Sequence, residues 1–359
     1  MTFTHYTDKD KYLEGDFASD LVPSITFGSI LRPNMDKIIN LDYSSRRLIT
    51  NERSWRISSP DKGVYQSPIM VAGCSWAEGV HEEWKDTYAS IIEKTFKVDV
   101  ANIGVSSYSL LQIMKRIKVE VKIVKPKIIV ISYLSGHIER CFKYNAAVDL
   151  LHRPIYKISQ NKDKKYLVLD PITLSNKTFN YLSLLATSNQ NLNLIQKSIL
   201  YFSQKMMLLL NGHFLNKFIT KKYIDPVKNV KVDDAKVRMN TLLLFLSDLD
   251  SVCTINNCKV ILFGMPDRIG NHEHTRLVHN RDDELINDIL AKKTYFNNIR
   301  YIQSSELVNK IDAQVSNNMY FGSVWARDNP HPNSAGYRII GKTIVENMKA
   351  LLDSRYWSF

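Results

Sequence analysis

The chain has 359 residues, 44% of them hydrophobic and 23% charged. That ordinary globular balance excludes a disordered, collagenous or coiled-coil chain, and at roughly 150 residues per domain it leaves room for two domains, or one α/β domain with a large insertion. Lys and Arg number 48 against 36 Asp and Glu, a net charge of +12, which permits an acidic partner without requiring one.

Four cysteines, Cys74, Cys141, Cys253 and Cys258, are too scattered for a disulfide scaffold. They also lack the paired C-x-x-C spacing of a structural zinc site, so no metal is expected. The opening MTFTHYTDKDKYLEGDF has no apolar signal region, and no window approaches about 18 consecutive apolar residues. The default expectation is a cytoplasmic protein without an integral membrane segment.

Residues 1–66 are mixed and polar, punctuated by Pro23, Pro33 and Pro60, and read as an N-terminal arm with short strands such as IINLDY. Regular patterning starts at PIMVAGC (68–74), a short apolar run ended by Gly73 that suits a buried strand. EWKDTYASIIEKTF carries Trp84, Tyr88, Ile91, Ile92 and Thr95 at helical spacing. VDVANIG (98–104) is a second strand. SLLQIMKRIKVEV sets Leu110, Leu111, Met114, Ile117 and Val121 on one helical stripe, and KPKIIVISYL (125–134) is a third strand. This βαβαβ succession means a parallel sheet.

The periodicity then blurs over 138–231, which holds the basic turn KDKK, strand candidates in KYLVLDPITL, an Asn-rich loop and an apolar amphipathic helix over 194–218. The stretch reads as an insertion or cap. A long helix near 232–250 restores the sheet pattern. Strand CKVILFGMP (258–266), a polar loop, a helix near 283–293, strand NIRYIQS (298–304) and a last helix over 334–352, capped by Asn333 or Ser334, complete it. The catalytic domain is thus expected over 67–137 and 232–359.

Ligands of open parallel sheets bind beyond the carboxyl ends of the strands. The residues there are Gly73-Cys74-Ser75-Trp76, Asn102-Ile103-Gly104, Ser135-Gly136-His137, and, before the last helix, Asp328-Asn329-Pro330-His331. Together they suggest acyl transfer by a serine. A hydroxyl needs a base to take its proton, and a histidine serves if a carboxylate fixes its tautomer. Asp328 and His331 can share one short turn, stiffened by Pro330 and Pro332. The backbone N–H groups of Ser75 and Gly104, with a side-chain donor from the third loop, can form an oxyanion hole.

These blocks resemble the SGNH/GDSL hydrolase superfamily: a Gly-x-Ser turn in GCSWAEG (73–79), a glycine in NIGVSS (102–107) and D-x-x-H in DNPH (328–331). The resemblance covers about 68–137 and 256–350. It implies a flavodoxin-like three-layer α/β/α sandwich with strand order 2-1-3-4-5 and ester hydrolysis or acyl transfer. It also implies Ser75 as nucleophile, His331 as base, Asp328 as orienting acid and Gly104 as oxyanion donor. Two departures stand out. Cys74 replaces the usual Asp of the first block, and the third block has His137 about where the family carries Asn.

His137 is either an oxyanion donor or a structural histidine. Trp76 either packs beside the nucleophile turn or lines an acyl pocket. Arg140 either binds an anionic group or is a solvated charge. His272, His274 and His279 lie in a polar loop, where a surface role outweighs a metal site; His274 would contact substrate if the loop overhangs the site. The expected function is a serine-dependent carboxylic-ester hydrolase acting on short acyl groups, O-acetyl on carbohydrate first, without a cofactor. The alternatives are an O-acyltransferase using the same triad on a glycan, or a non-catalytic binding protein that retains the fold. No nucleic-acid motif accompanies the basic surface.

Overall fold

A computed structural model describes residues 3–7, 10–13, 20–24, 27–41, 44–63, 65–142, 154–160, 167–172, 235–269, 276–292, 296–314 and 331–353. Asp328, His274 and the amphipathic helix expected over 194–218 lie outside the described residues. The chain divides into two compact units, one formed by Met1–Ile30 with Cys141–Asn240, the other by Leu31–Arg140 with Thr241–Phe359.

In the first unit, β1 (Phe3–Thr7), β2 (Asp10–Leu13) and β3 (Leu21–Ser24) continue into β4 (Gly28–Leu31) as a four-stranded sheet in chain order. The second unit opens with the antiparallel pair β5 (Asp36–Leu41) and β6 (Ser44–Ile49). There follow β7 (Ile69–Ala72), α1 (Ser75–Glu78), a 3₁₀ turn at Trp84–Asp86, α2 (Tyr88–Phe96), β8 (Val100–Asn102), α3 (Leu110–Val124), β9 (Ile128–Tyr133) and α4 (Gly136–Arg140). The chain then contributes to the first unit the antiparallel pair β10 (Ile155–Gln160) and β11 (Leu167–Ile172). Helix α5 (Ala235–Asn256) leads to β12 (Lys259–Gly264), the short pair β13 (Asp267–Ile269) and β14 (Arg276–Val278), α6 (Asp283–Lys292), β15 (Ile299–Ile302), α7 (Ser304–Gln314) and α8 (Ser334–Asp353).

The centre of the second unit is a five-stranded sheet in the order β15-β12-β9-β7-β8, every neighbouring pair parallel. Strands β7 and β9 are buried along their whole length, as a parallel sheet covered on both faces requires. That is why both read as unbroken apolar runs rather than alternating ones. Helices α2 and α8 pack together, so closely that a Cβ on Gly341 would stand 2.8 Å from Ile91. Tyr88 of α2 meets Phe263 of β12 edge-on, with ring centroids 5.5 Å apart. Helices α3 and α5 are joined by a Lys118–Asp248 ion pair, and right-handed crossovers put these two helix pairs on opposite sides of the sheet.

Three local outcomes differ from the periodicity. The stretch expected as one helix over 83–96 breaks at Thr87, whose Oγ1 accepts the Ser90 N–H and starts α2 only at Tyr88. Helix α7 has no counterpart among the expected elements. The polar loop after β12 contains the β13–β14 pair. The last helix is capped by Asn333, whose Oδ1 accepts the N–H groups of Ala335 and Gly336 at 3.1 and 3.0 Å. No helix among the described residues is long and apolar enough to cross a membrane.

Candidate active site

Strand β7 delivers the chain to Gly73, whose φ of +146° suits a residue without a Cβ; a Cβ there would also collide with Ser132 Oγ. The chain then turns at once into α1, which begins at Ser75. Ser75 is partly exposed while its neighbours Cys74 and Trp76 are buried. Its Oγ lies 3.8 Å from Cys74 Sγ. The Ser75 hydroxyl thus donates to the buried Cys74 sulfur. The first N–H groups of such a turn have no partner within the helix and face outward.

The loop after β8 is pressed onto α1. A Cβ on Gly104 would lie 2.6 Å from both Ala77 Cβ and Glu78 N, so only glycine allows the approach. Asn102 stitches the two segments together: its Nδ2 donates to Ala77 O at 2.7 Å, and its Oδ1 accepts the Gly104 N–H at 3.0 Å. The Gly104 N–H, expected from the sequence to face an oxyanion, thus has a side-chain acceptor.

Below this contact sits a buried polar frame that the sequence did not reveal. Glu78 is fully buried and accepts from Arg46 Nη2 on one carboxylate oxygen at 2.7 Å. Its other oxygen accepts the Ser106 N–H and hydroxyl at 2.7 and 2.6 Å. Arg56, also fully buried, donates to the carbonyls of Glu78, Gly79 and Glu82 at 2.6 to 2.7 Å, satisfying the open carbonyls at the end of the helical turn. Burial, with the Arg46 charge second, draws Arg56 down to about 9, and it remains a cation at neutral pH.

His331, at the entry to α8, is brought to this same turn. Its ring lies 5.1 Å, centroid to centroid, from that of His81, six residues beyond Ser75. Burial foremost, then the charges of His81, Arg140 and Arg46, lowers His331 to about 3, so it is a neutral imidazole at pH 7. The junction is closed by Glu82, which accepts a backbone hydrogen bond from Ser334. Burial and the neighbouring Asp86 charge nevertheless raise its carboxyl to about 7.

His137 follows β9 on α4 and is fully buried. Its Nδ1 accepts the Leu134 N–H at 3.3 Å, so in the neutral ring Nε2 carries the proton and is a donor. Burial, with Arg140 adding to it, holds its pKa well below the usual histidine value. Arg140, one turn further and half-buried, donates to Tyr108 O at 3.2 Å and has no carboxylate partner among the described residues. Trp76 is 3% exposed and belongs to the core. No three His, Cys, Asp or Glu among the described residues are grouped to hold a metal ion.

The second unit thus gathers Ser75, Trp76, Gly104, His137, Arg140 and His331. The sequence reading missed Glu78, Arg46, Arg56, His81 and Glu82, and did not give Asn102 its bonds to Ala77 and Gly104. Glu78 and His81 were within reach, in or just after the GCSWAEG turn; nothing in the pattern marks Arg46 or Arg56 as internal.

No family model matches the chain, and no curated protein matches it. Among solved structures it is similar to a candidate lipolytic protein of the G-D-S-L family from Desulfitobacterium hafniense, with 10% identity, 77% of this chain and 97% of the other covered, and a TM-score of 0.37. It is similar to an α/β hydrolase from the metagenome of Lake Arreo at 11% identity, 80% and 98% coverage and a TM-score of 0.41. It also resembles a candidate acylhydrolase from Bacteroides fragilis at 13% identity, 79% and 87% coverage and a TM-score of 0.33. At these values the likeness transfers no residue roles and no activity to this chain.

Proposed function

We propose that the chain is a serine-dependent carboxylic-ester hydrolase of the SGNH/GDSL type, with Ser75 as nucleophile, His331 as general base and Asp328 as the acid that orients it. The observation that carries this reading is the contact of His331 with His81, at the end of the turn that Ser75 begins. His81 and His331, 250 positions apart, come together six residues beyond the partly exposed Ser75, which supports a base within reach of that hydroxyl.

In the proposed reaction Ser75 Oγ attacks the ester carbonyl while neutral His331 takes its proton. The alcohol leaves with that proton, and water then hydrolyses the acyl-serine with the same imidazole as base. The negative oxygen of the tetrahedral state would be received by the Ser75 and Gly104 N–H groups and by His137 Nε2. For Gly104 this means sharing or releasing its bond to Asn102. A carboxylate at Asp328 would fix the imidazole's tautomer and stabilise the imidazolium that forms only as the serine proton is taken.

Arg140, a half-buried cation whose charge reaches both histidines, favours an ester bearing a negative group. Short acyl groups on an acidic carbohydrate fit that requirement. A fluorophosphonate probe and p-nitrophenyl acetate test the assignment. Wild type is labelled and hydrolyses the ester; Ser75→Ala and His331→Ala lose both while unfolding at the wild-type urea concentration. Absence of labelling in the folded wild type overturns it. An added alcohol acceptor in the same assay separates transfer from hydrolysis.

A further inference from the structure

Far along the chain from the serine turn, α5 ends in a motif with its own chemistry. Asn257 adopts a left-handed conformation at φ +51°, and the Cys258 N–H reaches back to the Cys253 carbonyl at 3.0 Å. This six-to-one bond is the Schellman closure of a helix C-terminus, which brings the side chain two residues past the cap against one in the last turn. Those two positions usually hold a pair of apolar residues. Here both are cysteines, both buried and both free thiols.

The sulfur atoms are 2.9 Å apart, well inside the roughly 4 Å of an apolar side-chain contact. A covalent S–S bond would need them only about 0.9 Å closer. The motif holds both backbones in place, so the closure falls on side-chain torsions alone.

We propose that Cys253 and Cys258 are a cross-linking site: exposed to a small-molecule disulfide, they become an intrachain disulfide that fastens the end of α5 to the start of β12. The exchange balances in two steps. One cysteine thiolate attacks a sulfur of oxidised glutathione, forming a mixed disulfide and releasing one glutathione thiolate. The second cysteine thiolate then attacks the protein sulfur of that mixed disulfide, releasing the other. The two protons lost by the protein are taken up by the two glutathione thiolates, and the oxidant is reduced by two electrons. The hydrogen bond the Cys253 thiol shares with Cys258, then burial, push that thiol up, which slows attack in the closed state and makes the reaction depend on local opening. The bridge is independent of the hydrolase assignment.

The test uses the full chain, first reduced, then equilibrated with oxidised glutathione with and without sub-denaturing urea to open buried segments. Free thiols are blocked with N-ethylmaleimide under denaturing conditions and the protein is mapped by mass spectrometry. The expected result is two blocked thiols, at Cys74 and Cys141, and a 253–258 peptide about 2 Da lighter than its dithiol. Cys253→Ser and Cys258→Ser each abolish the 2 Da loss, the remaining thiol being blocked or carrying glutathione. Four blocked thiols in both arms, persistent glutathione adducts at 253 and 258, or a bridge involving Cys74 or Cys141 would each overturn the proposal.

Discussion

Glu78 holds Ser106 through a single carboxylate oxygen, which accepts both its N–H and its hydroxyl. The turn that starts at Ser75 and the loop that carries Gly104 are therefore one rigid piece, pinned from beneath by Arg46. Loss of one member of a buried pair strands the other charge, at a cost of about 3–5 kcal/mol. Glu78→Ala should lower unfolding free energy by that amount in urea titration. Ser106→Ala, which leaves the ion pair, should cost about 1–2 kcal/mol. Equal effects from the two would contradict a carboxylate anchored mainly by Arg46.

The close approach of Gly104 to α1 makes a second prediction. A methyl group at 104 would sit 2.6 Å from backbone and side-chain atoms of Ala77 and Glu78, so Gly104→Ala must push the loop off the serine turn. We expect about 1–3 kcal/mol of destabilisation and a fall of at least tenfold in p-nitrophenyl acetate hydrolysis. Gly136→Ala is the control: a Cβ there meets nothing within 4 Å, and it should leave both measurements unchanged. A Gly104→Ala protein with full activity would remove this loop from the site.

Stability should depend on pH in two opposed ways. His331 and His137 titrate below their usual value when folded. Below about pH 6.5 the unfolded chain binds protons that the folded chain does not, and stability falls as the pH drops toward 3. Glu82 is the reverse. Folded, it holds its proton up to about 7 against 4.5, so between those values the folded state binds the extra proton and its contribution is lost as pH rises. His331→Asn should flatten the acid limb of a plot of urea midpoint against pH, and Glu82→Gln should flatten the fall between about 4.5 and 7. An unchanged acid limb in the His331 variant would show that His331 binds protons alike in the folded and unfolded chain.

Arg140 should discriminate among esters by charge. Arg140→Ala is expected to raise KM about tenfold for a substrate with a carboxylate near the ester, roughly 1.4 kcal/mol of binding, with kcat and neutral-ester kinetics little changed. Arg140→Lys should recover only part of the loss, because a point charge cannot form the two-pronged bond. A uniform fall in kcat for charged and neutral esters alike would instead make Arg140 a positioning residue.

The sequence by itself determined the parallel sheet of the second unit. Residues 69–72, 128–133 and 259–264 are continuous apolar runs because both faces of those strands are covered, and such runs are visible without coordinates. It also singled out Ser75, Gly104 and His331 as candidates, because parallel strands deliver their C-terminal loops to one shared edge of the sheet. Tertiary structure alone decided how those residues are held. Arg46 and Arg56 lie among polar residues in a stretch that reads as an outlying arm, yet both are buried inside the second unit. An arginine goes inside only where acceptors wait for it, here Glu78 and the carbonyls of 78, 79 and 82. Those acceptors come from a segment more than twenty residues away, and no local pattern records which distant carbonyls a folded chain will turn inward.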